Sequence, residues 1–300
     1  MNTHEVIIFY KYTPVQDPVG FVNQQKLLGA SLHLTGRILI APEGMNGTVE
    51  GTPEQIAEYE RHMRLQDGLE GTFADLHDVW FKSSPSNGTS FKKLKIKARP
   101  EILNIGLGKE QDIDPNSICG KHLSAEELNS WFENGEDFEI IDMRNSYEYA
   151  VGRFKGSHDS GMLNFRDLPE AVNRFEHLKE KKIVTVCTYG VRCEKASGYL
   201  LKQGFNNVYQ LHGGIGTFMK TFPGKQFEGS LYVFDERITE RFTEHYDIVG
   251  TCFACSDKTE RFGNCAWSDC HKQLIICDTC DTSQVWCSQA CKDRTATVCT

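Results

Sequence analysis

Cys187 ends the apolar run "IVTV" and is followed by Thr188, Tyr189, Gly190, Val191, Arg192 and a second thiol, Cys193. A buried strand would deliver Cys187 to the carboxyl edge of a sheet, where open α/β sheets bind ligands. Residues 188–192 must then turn sharply and enter a helix near Arg192. Backbone N–H groups and the helix N-terminal dipole would converge on the sulfur. Such a cradle favours the thiolate, and Arg192 adds positive charge beside it. The order strand, cysteine, loop, arginine, helix presents Cys187 as a nucleophile or a sulfur carrier. Cys193 admits two roles: a resolving thiol, or packing on the first helical turn.

Nine of the twelve cysteines fall between Cys252 and Cys299, and residues 1–118 contain none. Eight of the nine form pairs of ligand spacing: Cys252 with Cys255, Cys265 with Cys270, Cys277 with Cys280, and Cys287 with Cys291. Gaps this short let both thiolates of a pair reach one tetrahedral ion. Four pairs make two four-cysteine sites, so the expectation is two structural zinc ions. Cross-braced pairing, first with third and second with fourth, is preferred to pairing of neighbours because two identical x2 pairs then share an ion. His271 is an alternative ligand beside Cys270, and Cys299 is the spare thiol. An iron–sulfur cluster would use the same donors, but the spacing fits zinc better.

A third feature is electrostatic. "FKKLKIKARPEI" places Lys93, Lys95, Lys97 and Arg99 at period two, on one face of a strand. Residues 81–110 carry seven Lys/Arg against two Asp/Glu, whereas the whole chain has a net charge of −8. General adhesion to nucleic acid or membrane is thereby disfavoured. A local stripe that contacts RNA phosphates is not.

The elements around these groups suggest three modules. Residues 1–105 read as βαββαβ, the order of a ferredoxin-like α+β sandwich: strand 6–12, helix 24–34, two strands within 36–51 around an "EGMNG" turn, helix 52–65, and late strands at 79–83 and 91–103. A Gly/Asp/Pro-rich linker covers 106–120. Residues 121–226 alternate strands and helices, implying a small parallel α/β sheet. They begin with a helix capped by Ser124 and boxed by Glu127, and include a helix over 168–180. Residues 227–300 are the cysteine-rich module. No stretch approaches the ~18 apolar residues of a spanning helix, and the first fifteen residues lack a secretory pattern. A cytosolic chain with no membrane partner is expected.

"CTYGVR" resembles the six-residue active loop of the rhodanese family. "IIDMRNSYEYAVGRFKGS" resembles its "D-x-R … E … G-H-I-x-G-A" segment, and "VYQLHGGIGTF" its closing strand, glycine pair and helix. The longer stretch "CTYGVRCEKASGYL" resembles the "C-T-G-G-I-R-C-E-K-A-S" signature of the rhodanese-related tRNA uridine 34 hydroxylases. "APEGMNGTVEG" and "FKKLKIKARPEI" resemble their N-terminal domain. The resemblance spans about 1–230, and the cysteine cluster fits longer members. It implies oxygen-dependent 5-hydroxylation of the wobble uridine in the tRNA anticodon region, with molecular oxygen as co-substrate and Cys187 essential. Two departures stand out: Tyr189 replaces a loop glycine and could offer an aromatic face, and Arg153 stands where many rhodaneses have histidine. A thiosulfate-type sulfurtransferase carrying a persulfide on Cys187 is the alternative reading, and a non-catalytic scaffold a second. No nucleotide or flavin fingerprint is visible, nor a clear 2-His-1-carboxylate set.

Overall fold

The computed structural model describes residues 3–65, 73–108, 111–270, 272–281 and 284–298. The N-terminal module contains β1 (His4–Tyr12), α1 (Pro18–Ser31), β2 (Thr35–Ala41), β3 (Gly44–Gly51), α2 (Pro53–Leu65), β4 (Lys82–Ser86) and β5 (Leu94–Ala98). Its strand order is β4-β1-β3-β2-β5. The first four positions are the ferredoxin-like arrangement, and β5 extends the edge parallel to β2. Ile7, Phe9, Ile38, Ile40, Val49 and Ile96 point from one sheet face into a core with Phe21 and Tyr59 of the two helices. Helix α1 starts earlier than its apolar spacing suggests. The Asp17 carboxylate accepts from the N–H groups of Val19 and Gly20, and Pro18 opens the first turn.

The chain reverses at the very start of the expected "EGMNG" turn. Pro42 and Glu43 make the reversal, and Gly44–Gly51 is strand throughout. Short side chains there suit a strand crowded by both neighbours, since a Cβ on Gly47 would lie 2.4 Å from the Phe9 ring.

The second module contains β6 (Lys121–Leu123), α3 (Ala125–Asn134), β7 (Glu139–Asp142), α4 (Ser146–Val151), β8 (Gly152–Phe154), β9 (His158–Asp159), α5 (Leu168–Ala171), β10 (Lys182–Val186), α6 (Val191–Lys202), β11 (Asn207–Leu211) and α7 (Gly214–Thr221). Strands β6-β11-β10-β7-β9 form an all-parallel sheet. Both faces are covered, as a parallel sheet requires. Ile183 packs with Phe175, Ala196 and Leu200, while Val184 and Val186 pack with Leu128 and Phe218 opposite. The Ser124–Glu127 capping box is formed. The expected helix at 168–180 is α5 followed by a 3-10 segment, Val172–Leu178.

Beyond it, β12 (Phe227–Gly229) pairs with β8, β13 (Leu231–Tyr232) with β14 (Thr239–Glu240), and β15 (Phe262–Asn264) with β16 (Gln273–Ile275); α8 (Gln289–Val298) follows. Among the described residues no helix is long and apolar enough to cross a membrane.

Candidate active site

Cys187 follows β10 at the carboxyl edge of the parallel sheet and is 1% exposed. The next residues wrap around its sulfur, and the Gly190 N–H donates to Sγ at 3.2 Å. Gly190 adopts φ +103° immediately before α6, a conformation that glycine permits at little cost. Helix α7 holds the loop from the other side: Ile215 N–H donates to the Cys187 carbonyl and Gly216 N–H to that of Thr188, both at 2.9 Å. A Cβ on Gly214 would sit 2.6 Å from the Cys187 carbonyl oxygen, which explains the glycine pair.

Burial pushes the Cys187 thiol up. The Cys193 thiol, the Arg192 charge and the backbone N–H groups of Cys193 and Arg192 outweigh it and bring it down to about 6. Burial and the neighbouring Cys187 sulfur push fully buried Cys193 the opposite way, so Cys187 is the anion of the pair.

Arg192 is more constrained than its sequence position suggests. Its guanidinium forms a two-pronged pair with fully buried Glu148, at 2.7 and 2.8 Å, and donates to Thr188 Oγ1 at 3.1 Å. Much of its charge is thus neutralised. A second cation, Lys82 of β4, enters from the N-terminal module. It is 6% exposed, lies over the rings of Tyr10 and Trp80 at 4.7 and 4.4 Å, and interacts electrostatically with Cys187. Burial brings its ammonium down to about 8, against the opposing influence of Cys187 and Glu194.

Helix α6 also ties the modules together. Glu194 accepts from Tyr10 at 3.0 Å and from Gln210 at 3.0 Å, and lies 3.1 Å from His122. The buried ammonium of Lys195 meets Glu43, Glu101 and Asp112 at 2.7–3.2 Å. In "RCEKAS", therefore, Glu194 and Lys195 are interdomain clamps. Arg153 pairs with Glu228 at 2.7 Å. Tyr189 lines the cleft but is largely enclosed: it is 5% exposed, packs on Gly216, and donates to Glu240 at 2.8 Å.

A cleft of about 620 Å³ opens above Cys187 between the modules. One wall is the outer face of the N-terminal sheet. Register places Lys82, Ile8, Thr48, Arg37 and Lys95 in one cross-strand row, and Tyr10, Asn46, Leu39 and Lys97 in the next. Ile8, Arg37, Leu39, Asn46 and Thr48 line the cleft. Lys95 and Lys97 are exposed on β5 opposite buried Ile96, with exposed Lys93 and Arg99 flanking the strand. The basic stripe thus continues the wall of the Cys187 cleft.

The cysteine pairs converge as two groups: Cys252, Cys255, Cys277 and Cys280, and Cys265, Cys270, Cys287 and Cys291. Within each, all four sulfurs lie within 4.8 Å of one another, with closest separations of 3.4–3.6 Å. A tetrahedron of sulfurs about 2.3 Å from a zinc ion has edges of about 3.8 Å. The clusters can hold metal ions and suit zinc. First joins third and second joins fourth, the cross-braced arrangement. His271 and Cys299 lie outside the described residues.

Fold and site together define a rhodanese-domain protein flanked by two further modules. Family models match in that order: a UPF0176 acylphosphatase-like domain over residues 4–102, a rhodanese-like domain over 124–221, and a rhodanese C-terminal domain over 228–292. The chain is 37% identical to the tRNA uridine(34) hydroxylase of Cytophaga hutchinsonii, over 97% of this chain and 91% of that protein. It is 38% identical to the protein of that name from Staphylococcus aureus, over 96% and 89%. A crystal structure of the Alr3790 protein from Anabaena is 25% identical with a TM-score of 0.31, covering 36% of this chain and 91% of that one. The chain belongs to the tRNA uridine(34) hydroxylase family and is an enzyme.

Proposed function

We propose that this protein hydroxylates C5 of the wobble uridine of tRNA in the cytoplasm, with dioxygen as co-substrate and Cys187 as the nucleophile. The observation that carries this reading is Cys187, its sulfur cradled by the Gly190 N–H, at the floor of a cleft whose opposite wall runs into a basic strand. Lys93, Lys95, Lys97 and Arg99 hold the phosphates of the anticodon region. The wobble base leaves its stack to reach the recessed sulfur, a small cost in a single-stranded loop.

The Cys187 thiolate adds to C6 of uracil, and the displaced electron pair moves through C5 to O4. C5, now electron-rich, takes one oxygen atom from an electrophilic oxygen species. Loss of the C5 proton and expulsion of the thiolate restore the ring. The second atom of dioxygen leaves as water, with two electrons from an external reductant. Arg192, pinned by Glu148, and Lys82 keep the sulfur anionic between turnovers. Cys252, Cys255, Cys277 and Cys280 would hold one zinc ion and Cys265, Cys270, Cys287 and Cys291 a second, which would stabilise the fold of the C-terminal module and leave no position open for substrate.

A 5-fluorouridine at the wobble position tests the covalent step. A Cys187–RNA adduct visible by mass spectrometry is expected. An active enzyme that binds this RNA and forms no adduct refutes C6 addition and favours oxygen delivery through an oxidised or persulfide sulfur on Cys187.

A further inference from the structure

Phe234 is the one large apolar side chain among the described residues that is both strongly exposed, at 60%, and part of the wall of the Cys187 cleft. It lies in the turn between β13 and β14, with the Arg192 guanidinium carbon 5.6 Å from its ring centroid. An exposed ring is usually without consequence when isolated. This one is braced. Tyr232 meets its edge at 5.1 Å, Phe262 of β15 meets Tyr232 at 5.1 Å, and Tyr147 of α4 closes the group at 5.3 Å from Tyr232. The Tyr232 hydroxyl donates to Gln273 on β16 at 2.9 Å. The β15–β16 hairpin is itself bound to the first four-cysteine cluster: Phe253 N–H donates to the Ile275 carbonyl, one residue after Cys252 and two before Cys277. The C-terminal module therefore fixes a rigid aromatic side chain at the mouth of the cleft.

We propose that Phe234 is the stacking wall for the pyrimidine that enters this cleft, and that the aromatic ladder from the first cysteine cluster holds it in place. This rests on the reading of the site as one that takes a wobble uridine. The occupant must be flat, since the other wall is a sheet face. It must accept polar contacts at its edge, since Asn46 and Thr48 point into the same space. Uracil meets both conditions, with its N3–H and O4 matched to a carboxamide. Tyr232 and Phe262 are positioning residues and touch no substrate.

The test is binding of two anticodon stem-loops, one with uridine and one with an abasic site at the wobble position, followed by fluorescence anisotropy. Stacking makes the wild type prefer the uridine loop by about 5- to 150-fold. Phe234→Ala should bring that ratio close to one, and Phe234→Trp should keep it. Phe262→Ala should lower it partway. Thermal denaturation should leave Phe234→Ala close to the wild-type Tm, because the ring is largely exposed, so a lost preference is not unfolding. A wild-type preference that survives intact in Phe234→Ala overturns the stacking wall alone. A wild type that binds neither loop overturns the proposed function and the wall with it.

Discussion

Replacing Glu148 by glutamine should make the protein less stable and its active-site thiol more acidic. Glu148 is fully buried and forms two contacts, at 2.7 and 2.8 Å, with an arginine 6% exposed. Glutamine keeps the shape and one acceptor but removes the counter-charge. Stranding one member of a buried ion pair costs about 3–5 kcal/mol. The surviving acceptor puts Glu148→Gln near the lower figure. At about 2–4 °C per kcal/mol, Tm falls by about 6–12 °C. The freed guanidinium charge then stabilises the Cys187 thiolate further, below the wild-type value of about 6. Arg192→Met should destabilise comparably but move the thiol upward, because it leaves the Glu148 carboxylate 3.5 Å from Thr188. The double variant Arg192→Met, Glu148→Leu should regain much of the lost stability while keeping a weakly acidic thiol. Thermal denaturation reads the first quantity. The pH midpoint of iodoacetamide alkylation at Cys187, followed by peptide mass spectrometry, reads the second. Single variants that move the thiol in the same direction, or that leave Tm unchanged, would refute the charge-balance argument.

The depressed thiol pKa also makes stability rise with pH between about 6 and the unfolded value near 8.5, because the unfolded chain there binds the extra proton; denaturant titrations should find that increment lost as pH falls through 6 and absent in Cys187→Ser. Lys82→Met removes a buried cation and should raise the pH midpoint of Cys187 alkylation, and an unmoved midpoint would remove Lys82 from the site. Neutralising Lys93, Lys95, Lys97 and Arg99 together should weaken tRNA binding and flatten its salt dependence by roughly one unit of slope per lost phosphate contact; an unchanged slope would make the stripe merely solvated. Elemental analysis should find two zinc ions per chain. Cys252→Ser with Cys277→Ser should cost one of them, whereas loss of both would refute cross-bracing.

What the sequence made legible was local. The turn around Cys187 and the gaps between paired cysteines are short-range, so residue order alone implies their geometry. The basic stripe was readable because strand periodicity fixes a face, and β5 does alternate buried Ile96 with exposed lysines. The partners of these groups were not readable. Glu148 stands in a recognisable segment, yet its grip on Arg192 spans 44 residues of sequence. Lys82 comes from another module and sits in a strand of serines and a proline that shows no apolar pattern. Phe234 carries no signal of its own in the sequence, because the turn between β13 and β14 is what exposes it. Tyr189 lines the cleft, yet the contacts that enclose its ring come from Gly216 and Glu240, both distant in sequence.

Nucleoside mass spectrometry of tRNA, from cells lacking this chain and complemented with wild type or Cys187→Ser, bears most directly on the proposed reaction. Wild type should restore 5-oxygenated uridines at the wobble position, and Cys187→Ser should restore none while accumulating as a folded protein. Restoration by Cys187→Ser, or a change confined to thionucleosides, would contradict cysteine-dependent hydroxylation.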